Sequence, residues 1–228
     1  MNTIHNAITY DWQAFFAALR LVFQLNSDSE EKLKQYVEQL LRWNQTYHLI
    51  GPAAVRELLT RHLLDSSSLI PFLPETGIIA DMGSGAGLPG IVLALLSLPS
   101  RQFHLFEANQ KKARFLQFIA SELAMGDRVV VHKRRVEEAM ELHGTFDCTT
   151  SRALADLDGL AKLSRLLLKV DGICLAMKGR RVYDELSEFA HGKQSSFFNQ
   201  PFIHTSPFGG EGVIVQLRKV PRETGVKG

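Results

Sequence analysis

From residue 78 onward, short β-rich runs alternate with helical ones, and this alternation constrains the fold of the 228-residue chain more than any other feature. The strand-like runs are GIIADM, QFHLFE, RVVVH, FDCTTS and GICLAMK, with helices expected from about 89 and over 109–124, 136–143 and 154–169. Strands joined by helices build a parallel sheet covered on both faces. The tail breaks this rhythm. NQPFIHT and GVIVQLRKV are separated only by SPFGGE, a connection short enough for a hairpin, so the sheet is expected to end in an antiparallel pair. Before residue 78 the pattern is helical. One helix is expected over 11–25 behind Asp11, and a second over 29–47 with Leu33, Tyr36, Val37, Leu40 and Leu41 on one face. A third covers roughly 54–70, set off by Gly51-Pro52. The expected organisation is a helical extension at 1–72, an α/β domain at 73–220 and a frayed tail at 221–228.

A hydrophobic share of 45% lets a chain of this length bury a core of its own. The formal net charge of +2 does not mark a nucleic-acid binder, so that role would rest on local clusters of charge. Cys148 and Cys174 lie in apolar runs without metal-ligand spacing, which reads as reduced, buried thiols and no metal site. No apolar run reaches the roughly 18 residues of a membrane span. The opening MNTIHNAITYDW lacks the basic-then-apolar pattern of a secretory signal. A soluble, cytoplasmic monomer is expected.

The stretch IIADMGSGAGLPG places four glycines within eight residues at the end of the first strand. Gly83, Gly85 and Gly87 remove Cβ atoms and permit positive φ, so a ligand can lie against bare backbone at the carboxyl edge of the sheet. Pro89 suits a first helical turn, where no amide donor is needed. Gly85, Gly87 and Gly90 also spell the dinucleotide pattern G-x-G-x-x-G, so the loop alone leaves NAD and S-adenosylmethionine both open. Glu107 closes the next strand, 24 residues after Gly83, and a carboxylate there accepts the ribose hydroxyls of either molecule. Two features favour the methyl donor. Asp81 brings negative charge, which suits a sulfonium and not a pyrophosphate, and the chain ends in a hairpin instead of a second mononucleotide-binding half.

The motifs RHLLDS, DMGSGAGLPGI, FEANQKKARFL, RVEE, SRALADL and AMKG occur in the order and spacing of one family. Over roughly residues 30–190, RWNQTYHL included, the chain resembles the RsmG (GidB) family of bacterial methyltransferases acting on guanine of 16S ribosomal RNA. The resemblance implies a class I S-adenosylmethionine-dependent methyltransferase fold, Rossmann-like, with a small N-terminal helical cap. It implies that Gly83 and Leu88 contact the methyl donor, that Val136 and Glu137 flank its adenine, and that Arg152 lies at the donor site. The family's usual Asn-Leu-Thr is His48-Leu49-Ile50 here, and its common Phe before Pro89 is Leu88.

The family's product is 7-methylguanosine, with S-adenosylhomocysteine left from the donor. Guanine N7 already carries an in-plane lone pair and no proton, so the reaction needs alignment and no general base. Arginine ordinarily reads guanine by donating to O6 and N7 together. In a productive complex Arg152 is therefore expected on O6, a phosphate or the donor's carboxylate. Lys178, directly after the fifth strand in AMKG, is the second expected substrate contact. The chain lacks the Pro-Pro motif of exocyclic-amine methylation after the fourth strand, and neither cysteine lies where a pyrimidine-C5 nucleophile would.

Basic residues gather at 111–114, at HKRR (132–135) and at KGRR (178–181), each near a carboxyl end of a strand, where a rim could neutralise phosphates. His62 and Asp65 lie three apart on one helical face, a spacing that suits a packing hydrogen bond or a catalytic pair. Unstacking a target guanine costs a few kcal/mol, and a nearly neutral protein points to a shaped substrate, 16S rRNA in a partly assembled small subunit. A methyltransferase for a small molecule or protein, an NAD-dependent oxidoreductase and an inactive donor-binding module remain as alternatives.

Overall fold

The computed structural model describes residues 10–221, so the tail expected at 221–228 lies almost wholly outside the described residues. Helix α1 (Trp12–Arg20) begins at Asp11, whose carboxylate accepts the amide of Ala14 at 2.9 Å. Helix α2 (Ser27–Tyr47) is capped by Asn26 on the amide of Ser29 at 2.8 Å, with Asp28 and Glu30 facing the positive end of the helix dipole. It stops at His48, which adopts left-handed backbone (φ 51°), while the Asn44 side chain accepts the amide of Ile50 at 2.8 Å.

The third helix does not run unbroken as the periodicity predicts. Helix α3 (Pro52–Arg56) gives way to a π-helical turn over Leu58–Leu63, followed by α4 (Leu64–Ser67) and a 3₁₀ turn, Ile70–Phe72. The amide of His62 reaches back five residues to the carbonyl of Glu57 at 3.2 Å. The inserted residue rotates Arg61 and His62 relative to a plain helix, and such single turns are frequent at functional sites.

The alternating half builds the expected sheet. Its strands are β1 (Gly77–Met82), β2 (Arg101–Phe106), β3 (Val129–His132), β4 (Phe146–Arg152), β5 (Leu168–Lys178), β6 (Phe202–Thr205) and β7 (Val213–Arg218), in the order 3-2-1-4-5-7-6. The first five are parallel, and β7 inserts antiparallel between β5 and β6. Helices α5 (Gly90–Leu96), α6 (Gln110–Glu122), α7 (Leu157–Leu167) and α8 (Val182–His191) fill the connections and follow β5. The segment expected as a helix at 136–143 forms two 3₁₀ turns instead, Val136–Glu138 and Met140–Leu142. Of its side chains only Val136 and Ala139 are buried, which gives a full helix no apolar stripe to hold it down.

Successive β1 residues point to opposite faces. Ile79 joins one core with Leu93, Phe103 and Phe115, and the N-terminal helices complete it with Phe16, Leu19, Leu33, Tyr36 and Leu40. Ala80 and Met82 join the other, with Phe106, Phe146, Leu157, Leu160 and Phe189. The helical extension therefore shares one apolar core with α5, α6 and the sheet.

Candidate functional site: the cleft at the strand-order switch

Strands β2 and β4 flank β1, so the chain departs from β1 in one direction and later returns on its other side. At such a switch the connections part and leave a crevice beyond the carboxyl ends of the strands. A cleft of about 1540 Å³ opens there. Gly83, Gly85, Leu88, Glu107, Val136, Glu137, Arg152 and Lys178 line it, whereas Gly87, expected to contact the ligand, turns its Cβ position toward the buried side chains of Ile91 and Leu116. Thr60, Arg61, His62 and Asp65 of the cap form another wall, and the β6–β7 loop from Ser206 to Gly212 contributes a third.

The glycine loop is fixed from three sides. The amides of Gly83 and Ser84 bond the carbonyl of Phe106 at 2.9 and 3.0 Å, tying the loop to the end of β2. The carboxylate of Glu107 accepts the amides of Gly85 at 2.8 Å and Asn109 at 2.7 Å. From the cap, the buried hydroxyl of Tyr36 donates to the carbonyl of Ala86 at 2.9 Å. Gly83, Gly85 and Gly87 have φ of 70°, 58° and 100°. A Cβ on Gly85 would have only the Gly83 carbonyl oxygen, 3.9 Å away, within 4 Å, so bare backbone faces open space there.

Asp81 does not play the part expected of it. It is fully buried and absent from the cleft wall. One carboxylate oxygen accepts the amide of Gly90 at 3.0 Å and the other the hydroxyl of Thr150 at 3.2 Å. Burial raises its pKa to about 6, and hydrogen bonds from the Ser84, Gly90 and Thr150 region pull against that shift. Asp81 therefore couples β1 to the start of α5 and to β4, and it supplies no charge to a ligand. Of the two features favouring a methyl donor over NAD, the terminal hairpin stands and this charge does not.

Arg152, at the end of β4, meets His62 from the π turn, with Nη1 2.6 Å from Nδ1. Burial, then the charges of Arg152 and Arg61, push the His62 pKa down to about 4. The imidazole is neutral at physiological pH. Guanidinium only donates, so Nδ1 accepts and the ring proton sits on Nε2. His62 and Asp65 were expected to face each other. The π turn gives His62 to Arg152 instead, and Asp65 lies within the field of the same guanidinium, which lowers a pKa that burial raises.

Lys178 is buried in the cleft wall and already engaged. Its ammonium donates to the carbonyl of Ala155 at 2.7 Å and pairs with Glu185 at 2.7 Å. The basic rim is also less free than charge counting suggests. Arg134 pairs with Glu141, Arg180 with Glu211 and Arg61 with Glu57. Lys112 and Arg135 line the cleft, while Lys111 and Arg114 are exposed outside it. Cys148 and Cys174 are buried within adjacent strands, their thiol pKa values raised by burial, and neither lines the cleft. Among the described residues no group of three or more His, Cys, Asp or Glu is arranged to hold a metal ion, and no helix is long and apolar enough to cross a membrane.

A parallel sheet of order 3-2-1-4-5 extended by an antiparallel 7-6 pair, with a glycine-loop cleft at its switch point, is the class I methyltransferase fold. A solved S-adenosylmethionine-dependent O-methyltransferase from Thermotoga maritima superposes with a TM-score of 0.56 at 17% identity, over 75% of this chain and 72% of that one. Sequence narrows the assignment. The chain belongs to the GidB family, rRNA small subunit methyltransferase G, which it matches over residues 29–208. It is 43% identical over 168 residues to the Ribosomal RNA small subunit methyltransferase G of Halorhodospira halophila, covering 74% of this chain and 78% of the relative. The Hydrogenovibrio crunogenus protein of the same name is 36% identical over 195 residues, covering 85% and 87%.

Proposed function

We propose that this protein methylates N7 of a guanine in 16S ribosomal RNA, using S-adenosylmethionine, and that it acts as a cytoplasmic monomer on a partly assembled small subunit. The observation that carries the reading is the two-sided cleft. On one side lie bare glycine backbone and the Glu107 carboxylate, and on the other Arg152, His62 and the cationic rim.

The residues present fit the donor. Glu107 spends one lone pair of each oxygen on backbone amides, which fixes its orientation and leaves the others for ribose hydroxyls. Gly83, Gly85 and Leu88 present a wall without protruding polar groups, and Val136 gives adenine an apolar edge with the Glu137 carboxylate beside it. When bound, S-adenosylmethionine supplies a methyl group on a sulfonium, an electrophile that needs no activation.

The chain's own contribution is positioning. Guanine N7 has no proton to lose, and the cleft offers no histidine as a base beside Arg152, since the His62 Nδ1 lone pair is taken by the guanidinium. That bond also restrains Arg152. With Nη1 committed to His62, its remaining donors serve O6 or a phosphate without pressing on N7, where positive charge would develop. Lys178 holds the turn after β4 through Ala155 and keeps one N–H for the acceptor.

The test is methyl transfer from labelled donor to small subunits, and to their naked RNA, from cells lacking this gene. Digestion to nucleosides should release label as 7-methylguanosine, with more transfer to the particle. Label on another nucleoside, or none on either RNA form, would overturn the reading.

A further inference from the structure

The mouth of the cleft carries an ion pair that fixes nothing buried. Arg180 follows β5, and Glu211 lies in the β6–β7 loop. They meet in a two-pronged bond, Nε to Oε2 at 2.6 Å and Nη2 to Oε1 at 2.9 Å. The side chains are 81% and 70% exposed, and both residues line the cleft. Gly179, Gly209 and Gly210 around them have no neighbour within 4 Å of a would-be Cβ, so both loops have room to move. A third charge faces the same point. Arg61, from the π turn and paired through Nη1 with the exposed Glu57 at 3.1 Å, lines the cleft and helps hold the Glu211 carboxyl below its ordinary range, after the larger influence of Arg180.

Such a pair is weakly held, because exposed partners gain little from each other in water. Its geometry is also that of a fork on a two-oxygen anion, the arrangement by which arginine binds a carboxylate or a phosphate alike. We propose that Arg180 and Arg61 form a binding site for an RNA phosphodiester at the mouth of the cleft, and that Glu211 is an internal stand-in which the incoming phosphate displaces. The inference rests on the RNA reading above. It adds that the β6–β7 loop screens the site until RNA arrives, exchanging one anion for another at little cost and discouraging loose anions.

The experiment separates a displaced stand-in from a structural staple by the sign of two effects. Binding of small subunits lacking the modification is measured for the full-length protein across a salt series, alongside affinity for S-adenosylhomocysteine. Glu211→Gln should tighten RNA binding about threefold at fixed salt, the scale of one phosphate contact. Arg180→Gln should weaken it and reduce the slope of log K against log salt by about 0.7–0.9. In an Arg180→Gln background the gain from Glu211→Gln should largely disappear. A staple predicts instead that both single variants weaken binding together, and that outcome overturns the proposal, as does a neutral Glu211→Gln. A change confined to S-adenosylhomocysteine affinity would assign Arg180 to the donor and overturn it too. If the unaltered protein binds S-adenosylhomocysteine but shows no salt-dependent affinity for RNA, the RNA reading itself falls and this inference with it.

Discussion

Arg152 and His62 are 90 residues apart in the chain, and their side chains are joined by a 2.6 Å hydrogen bond at the bottom of the cleft. A hydrogen bond to a charged group is worth about 1.5–3 kcal/mol, so His62→Ala should lower kcat/KM for RNA by about 10- to 100-fold. His62→Asn, which places an acceptor oxygen near the Nδ1 position, should recover most of the loss. Initial rates on small subunits test both variants, and equal rates for the alanine variant and the unaltered protein would remove His62 from the site.

Two glycines separate folding from binding. At Gly85 a Cβ meets no protein atom closer than 3.9 Å, although φ is 58°. Gly85→Ala should cost about 1 kcal/mol in stability but sharply weaken binding of S-adenosylhomocysteine by placing a methyl group in the cleft wall. At Gly90 a Cβ would lie 2.4 Å from Leu105 and 2.5 Å from the Asp81 carboxylate. Gly90→Ala should therefore lower Tm, with a cost of about 1–3 kcal/mol from overpacking. Calorimetric titration and thermal melts read the two effects independently.

Glu107 orders two amides as well as facing the cleft. Glu107→Gln replaces one acceptor oxygen with an NH₂ that opposes a backbone donor. The expected result is at least a tenfold loss of S-adenosylhomocysteine affinity, a scale of about 1.4 kcal/mol. Unchanged affinity would show that the ribose position lies elsewhere.

The pH dependence of stability should carry the signature of Asp81. Its folded pKa is about 6 against an ordinary 3.8, so between those values the folded chain holds a proton that the unfolded chain lacks. Ionised Asp81 therefore detracts from stability above about pH 6, and this cost fades as pH falls toward 3.8. Asp81→Asn keeps an acceptor for the Gly90 amide and turns an NH₂ toward Thr150, whose hydroxyl can accept instead of donate, without the charge. The variant should be more stable than the original at pH 8, by about 1–3 kcal/mol at 1.36 kcal/mol per pKa unit, with the advantage vanishing near pH 4. His62 and His132, both lowered to about 4 chiefly by burial, act in the opposite sense. Each is stable as the neutral ring above 6.5 and loses that stability as pH falls toward 4, so the acid side of the Asp81→Asn profile should be the steeper one. Denaturant titrations across pH check the slopes.

Much of the fold was legible because its signals are local. Period-two runs bounded by helical stretches marked the parallel strands, and SPFGGE marked the hairpin. Gly83 and Gly85 after β1 and Glu107 after β2 marked positions that line the cleft. What escaped was geometry carried by single residues. The π turn at Leu58–Leu63 adds one residue to a helical stripe, too little to disturb the apolar period, yet it turns His62 from Asp65 toward Arg152. The direction of Asp81 depends on Gly90 and Thr150, the latter 69 residues away. No composition rule reveals that Arg180 and Lys178 are already paired, because Glu211 and Glu185 reach them only through tertiary packing.

The hydroxyl of Tyr36 on Ala86 has a consequence for how the protein could be divided. The helices that precede the sheet act as a buttress as much as a cap. A fragment starting near residue 73 would keep every strand, yet it would bare Leu93 and Phe115, previously shielded from solvent, and leave the ligand-facing loop unsupported from behind. Catalytic competence and the integrity of the first third of the chain are thus one property, lost or kept together.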